Sequence, residues 1–187
     1  LNRRTFIALI ASTAAVPYPL NILAERRLQP ASVTALDEPW KTIAAVQQHL
    51  FPAEEDSPGA EDIQALAYLQ NMLTAADISA SEREHISNGA GWLNDLSIKI
   101  YQRKFIQLDA SSREKILRKI EQSRAGSRWL SLLMTYLIEA LLSDPVYGGN
   151  KNSTGWKWLE HKPGFPTPTA DKKYFNLGHI VKRRIKA

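Results

Sequence analysis

Between positions 37 and 142 apolar residues recur every three or four places, and helix breakers divide that run into five segments. The first helix is predicted from Asp37, a good N-cap, to Pro52. Pro39 falls in its first turn, where a missing N–H is tolerated. Ile43, Val46 and Leu50 form one face, with Trp40 packing near the start. The second helix is predicted over 60–74, with Ile63, Leu66, Ala67 and Met72-Leu73 inward. The third opens on the capping box Ser81-Glu82-Arg83-Glu84 and runs to Phe105, presenting Ile86, Ala90, Leu93, Leu96 and Ile100. Gly89 and Gly91 weaken it by roughly 1 kcal/mol each relative to alanine. They mark either close packing or a bend. A second capping box, Ser111-Ser112-Arg113-Glu114, opens the fourth helix, whose core face is Ile116, Leu117 and Ile120. The fifth spans 127–142 and is apolar all round except for the stripe Ser131, Thr135 and Glu139, as expected of the central helix of a bundle. No segment carries a convincing strand pattern, so the fold class is all-α, a single helical domain over 37–168.

Beyond Leu142 the helical pattern stops. Pro145, the Gly148-Gly149 pair and Pro163, Pro166 and Pro168 are expected to leave no helix in this stretch. The irregular arm nevertheless carries Tyr147, Trp156, Trp158 and Phe165, side chains that bury large areas when ordered. Two readings stand open: the arm folds back over the fifth helix and closes the core, or it offers these aromatics to a partner. In either case Gly148 and Gly149 permit positive φ or close backbone approach, and Asn150 suits a turn.

Charge changes the picture only once it is located. The net +5 comes from the ends: residues 169–187 hold six Lys/Arg against one Asp, and Arg3-Arg4 add two more. Positions 5–168 then carry 16 basic and 18 acidic residues, so a basic groove for nucleic acid is disfavoured. For the tail, a solvated end and a contact with an acidic partner or anionic lipid headgroups are the two readings.

The inventory of reactive groups is thin. With no cysteine, disulfides, thiolate metal sites and covalent haem attachment are excluded. His49, His85, His161 and His179 are never three or four residues apart, so no helical metal pair exists. Nucleophile elbows, dinucleotide loops and phosphate loops are missing as well. The acidic loop Glu54-Glu55-Asp56 lacks the alternating ligands and closing glutamate of a calcium loop and reads as solvated. Glu139 is a candidate buried carboxylate. No catalytic, cofactor-binding or metal residue is expected in this chain.

At the N-terminal end, Arg3-Arg4 followed by Phe6 and an apolar run to Val16 resembles a twin-arginine export signal, placed over residues 1–24. The bland alternative is an amphipathic helix behind a basic pair. The run is about half the roughly 20 residues of a membrane span. Upstream residues are expected before Leu1.

Taken with that start, Leu50-Phe51-Pro52 followed by Pro58-Gly59-Ala60, the Pro145-x-Tyr147-Gly148-Gly149-Asn150 loop, Gly155-Trp156 and Pro163-Gly164-Phe165-Pro166 resemble the gluconate 2-dehydrogenase subunit 3 family. The resemblance implies the small, non-catalytic subunit of a periplasmic sugar or sugar-acid dehydrogenase complex. It implies a large flavoprotein partner of the glucose–methanol–choline type that holds FAD, and a multihaem cytochrome c as a third subunit. This chain is then expected to support folding of the flavoprotein and its passage through the twin-arginine translocase, and the complex to associate with the membrane. In that setting Tyr147, Gly148, Gly149, Asn150, Trp156, Trp158 and Phe165 are the candidate partner interface. A stand-alone periplasmic helical adaptor is the alternative.

Overall fold

The computed structural model describes residues 36–74, 78–164 and 169. Among these it contains six α-helices and no strand: α1 (Trp40–Leu50), α2 (Ala65–Leu73), α3 (Ala80–Tyr101), α4 (Ala110–Glu121), α5 (Arg124–Leu142) and the short α6 (Thr154–Trp158). Three 3₁₀ turns complete it, at Phe105–Gln107, Pro145–Tyr147 and Lys151–Ser153. The arm expected to hold no helix thus contains α6, which fits between the Gly148-Gly149 pair and Pro163. The all-α reading is correct, and α5 is the bundle's centre, in contact with each of the other five helices. Gly126, Trp129, Leu133, Tyr136, Leu137, Ala140 and Leu141 are its buried positions, whereas Ser131 and Thr135 face solvent.

Helix boundaries depart from expectation wherever a capping side chain two or more residues upstream wins. Ser79, not Ser81, caps α3, its hydroxyl accepting from Glu82 N–H at 3.2 Å. Asp109, not Ser111, caps α4, accepting from Ser112 N–H at 2.9 Å. Ser123 caps α5 through Gly126 N–H, so that helix starts before Gly126 rather than after it. In each case the cap oxygen meets the N–H three residues on, the geometry that satisfies an orphan donor. Asp37 does not cap α1; Pro39 occupies that position without a side-chain bond, and the Glu38 carboxylate accepts from Thr42 N–H (3.3 Å) and hydroxyl (2.7 Å).

Two further corrections concern the second and third helices. The second begins at Ala65, five residues later than expected, because Gln64 takes left-handed backbone (φ 55°) and residues 60–64 form turns. Tyr68 and Leu69 therefore point into the core, while Leu66 and Ala67 are only half-buried. The third stops at Tyr101, where Gln102 turns left-handed (φ 56°), and Phe105 enters the core separately. Phe105 N–H bonds to Asn94 Oδ1 at 3.1 Å, and Asn94 also donates to Thr42 on α1 at 2.9 Å. Ile86, Ala90 and Leu93 are buried as expected, but Leu96 is half-buried and Ile100 is exposed.

The glycines of α3 resolve into one role. Gly89 receives the indole of fully buried Trp129: a Cβ there would sit 2.2 Å from Trp129 Cδ1. Trp129 Nε1 donates to the Ile86 carbonyl at 2.9 Å. Close packing, not a bend, explains Gly89. Nothing lies within 4 Å of the corresponding position at Gly91.

Candidate functional site

A helix C-terminus leaves carbonyls without intrahelical partners, and the end of α5 is closed by the aromatic arm. Asp144 caps the first turn of the arm through Val146 N–H (2.9 Å), and Gly148 then reverses the chain at φ 95°. Gly149 lies against Ala140 of α5. Asn150 follows, fully buried and left-handed (φ 45°). Its Nδ2 donates to the Ser143 carbonyl at 2.9 Å and its Oδ1 accepts from Gly155 N–H at 2.7 Å. At Gly155 the arm meets α5 so closely that a Cβ would stand 2.2 Å from the Leu141 carbonyl oxygen. Trp156, 9% exposed, donates from Nε1 to the Leu142 carbonyl at 2.7 Å. Two side chains distant in sequence thus satisfy the last carbonyls of the central helix.

The two halves of the quoted motif set meet in space. The ring of Phe51, from the Leu50-Phe51-Pro52 stretch, packs edge-on to Trp158 at 6.1 Å between centroids. Ala60 N–H bonds to the Phe51 carbonyl at 2.8 Å, tying Pro58-Gly59-Ala60 to the end of α1. Between this loop and the arm opens a cleft of about 660 Å³. Glu54, Glu55, Asp56, Glu61 and Asp62 line it, with Lys151 as the one basic residue among the described residues of its lining. The loop read as merely solvated is therefore one wall of a cleft, a placement with no local signal because the other wall lies nearly a hundred residues on.

Of the candidate interface residues, Gly149, Asn150 and Trp156 are buried against α5, so for them the core-closing reading applies. Tyr147 and Trp158 are half-buried and packed on the core. Phe165, Arg3, Arg4 and Phe6 lie outside the described residues, as do the basic residues of the tail. Among the described residues no group of three or more His, Asp or Glu side chains is arranged to hold a metal ion. Also among them, no helix is long and apolar enough to cross a membrane.

One polar cluster inside the bundle has no sequence signature. Tyr68 donates to Glu139 at 3.4 Å, across 71 positions, and Tyr136 donates to Glu82 at 2.6 Å. Burial, reinforced by the neighbouring carboxylates, pushes both phenols well above their ordinary pKa. Burial also raises Glu139; the Tyr68 hydrogen bond opposes that shift and the Glu82 charge adds to it. A carboxyl whose pKa is higher folded than unfolded takes up its proton earlier in the folded state, so its ionisation costs stability at neutral pH. That cost disappears as pH falls through the folded pKa towards the unfolded value of 4.5. Glu139→Gln keeps an acceptor for Tyr68 and is expected to melt above wild type at about pH 7.5, with the difference closing towards about pH 4 in thermal scans.

The geometry defines an all-α bundle whose central helix is capped by an aromatic, glycine-containing arm. The sequence profile described as gluconate 2-dehydrogenase subunit 3 matches residues 37–164, well over half of the chain. The chain belongs to the gluconate 2-dehydrogenase subunit 3 family. No relative among curated proteins and no solved structure matched it.

Proposed function

We propose that this chain is a non-catalytic small subunit of a periplasmic flavoprotein dehydrogenase acting on a sugar, polyol or sugar acid. Its partner is a glucose–methanol–choline type large subunit carrying FAD, with a multihaem cytochrome c passing electrons onward. The small subunit supports folding of the flavoprotein, and the Arg3-Arg4 signal takes both through the twin-arginine translocase. Membership in a family of dehydrogenase subunits is the observation that carries this reading. The placement of the motif residues supports it: Asn150, Gly155 and Trp156 hold the end of α5, a structural task rather than a chemical one.

The test is co-expression with a glucose–methanol–choline type flavoprotein in a host with an intact twin-arginine pathway. Arg3→Lys/Arg4→Lys is expected to strand both polypeptides in the cytoplasm, with periplasmic flavin-linked dye reduction falling on the order of 10-fold or more. Equal periplasmic flavoprotein in the presence and absence of this chain would refute the export role. Sugar oxidation by the purified chain alone would refute the accessory role.

A further inference from the structure

Charge is unevenly distributed along the helical body. Residues 36–98 carry eleven Asp/Glu against two Lys/Arg, whereas residues 99–128 carry nine Lys/Arg against three Asp/Glu. The sign reverses at the end of α3. Lys99 in its last turn, and Arg103 and Lys104 just beyond it, are exposed and have no ion-pair partner among the described residues. Asp95 is the one acid between positions 91 and 104.

The same stretch bears the large apolar side chains that the described residues leave exposed: Trp92 (38%), Ile98 (40%) and Ile100 (43%). At about 100° per residue, Trp92 lies within about 20° of Lys99 around the helix axis. Ile98 and Ile100 flank that lysine on either side, about 200° apart. Exposed apolar area is better removed from water, whereas unpaired basic heads are best met by anions. The headgroup region of an anionic bilayer offers both: indole and aliphatic side chains settle at its inner boundary, and Lys and Arg meet lipid phosphates. A rigid protein surface fits this helix less well, because it covers one side while the two isoleucines point apart. Fluid lipid closes round both. Among the described residues no helix can cross a membrane, so the contact is peripheral.

We propose that the C-terminal half of α3 and the turn after it form a membrane-binding face whose ligand is anionic phospholipid. Trp92, Ile98 and Ile100 enter the headgroup layer, and Lys99, Arg103 and Lys104 pair with lipid phosphates. The acidic stretch before α3's last turn is what an anionic surface repels, so the charge asymmetry also orients the bundle. The proposal rests on this chain's own surface and is independent of the export and assembly reading.

Because the chain has no cysteine, Ile98→Cys places a polarity-sensitive dye on this face of the full chain, and Thr135→Cys on the exposed side of α5 is the control. With vesicles of about 30% phosphatidylglycerol in phosphatidylcholine, at low salt, the dye at position 98 is expected to shift to the blue and the dye at position 135 to stay unchanged. Phosphatidylcholine alone is expected to give no shift. In co-sedimentation with the anionic vesicles, Lys99→Glu/Arg103→Glu/Lys104→Glu is expected to weaken binding about 10-fold or more. The equal charge change on the arm, Lys151→Glu/Lys157→Glu/Lys162→Glu, is expected to weaken it by no more than about 3-fold. Trp92→Gln/Ile98→Gln/Ile100→Gln keeps the charge and is expected to weaken binding at least about 5-fold. Every variant retains the basic tail, so the differences report this face. Equal weakening by the two charge reversals, or an unshifted dye at position 98, would overturn the proposal. So would a dye at position 98 that responds to a bound flavoprotein and not to vesicles, which would assign the face to a polypeptide.

Discussion

Asn150→Ala is expected to lower stability by about 3 kcal/mol or more, a fall in Tm on the order of 10 °C. The substitution leaves two backbone groups without partners, the buried Gly155 N–H and the part-buried Ser143 carbonyl. Each such orphan costs roughly 1–3 kcal/mol. It also forces alanine into left-handed backbone at φ 45°, which asparagine tolerates better, adding on the order of 1 kcal/mol. Asn150→Gly separates the two causes, because glycine removes the strain but not the orphans. It should recover about 1 kcal/mol of the loss in denaturant titrations. If the alanine variant melted with wild type, the arm would not hold the end of α5. Fluorescence adds a second readout: released from the Leu142 carbonyl, Trp156 should become more accessible to iodide.

Gly89→Ala and Gly91→Ala are expected to move stability in opposite directions although they lie on the same helix, two residues apart. Helix propensity alone favours both by roughly 1 kcal/mol. At Gly91 no atom lies within 4 Å of the new methyl, so the favourable term should survive and stability should rise by about 0.5–1 kcal/mol. At Gly89 the methyl would sit 2.2 Å from the Trp129 ring. That ring is fully buried and anchored to the Ile86 carbonyl, so it cannot move aside without losing its hydrogen bond. Overpacking should outweigh propensity and leave a net loss of about 2–3 kcal/mol. Urea midpoints of the two variants check this. A stabilised Gly89→Ala would mean that the α3–α5 contact is looser than the packing of Trp129 implies.

Both predictions rest on residues the sequence had already singled out. The Tyr147-Gly148-Gly149-Asn150 and Gly155-Trp156 stretches were legible as special because glycine and buried-type aromatics rarely coincide in a free loop. That the arm folds back on the fifth helix was one of two open readings, and the groups it meets there were not legible. Asn150 reaches Ser143 and Gly155, and Trp156 reaches Leu142, through a turn whose left-handed residues include Asn152 and Ser153 as well as Asn150. No propensity scale places three such residues within four positions. The acidic loop shows the same limit. Its charge was evident, but the wall facing it, Lys151 to Trp158, comes from the other side of the chain.

Helical periodicity by itself determined the class of fold, the core face of α4, that of α1 apart from half-buried Leu50, and the central position of α5, because a pattern that repeats every 3.6 residues depends only on near neighbours. Family membership was readable from the same string, through motif order. Only the tertiary structure decided which serine or aspartate caps each helix, that Gly89 is a seat for Trp129, and that Tyr68 meets Glu139. It alone assigned buried Asn150 and Trp156 to the end of α5. Those choices depend on which distant groups come within about 3 Å of each other, and spacing along a chain carries no record of that distance.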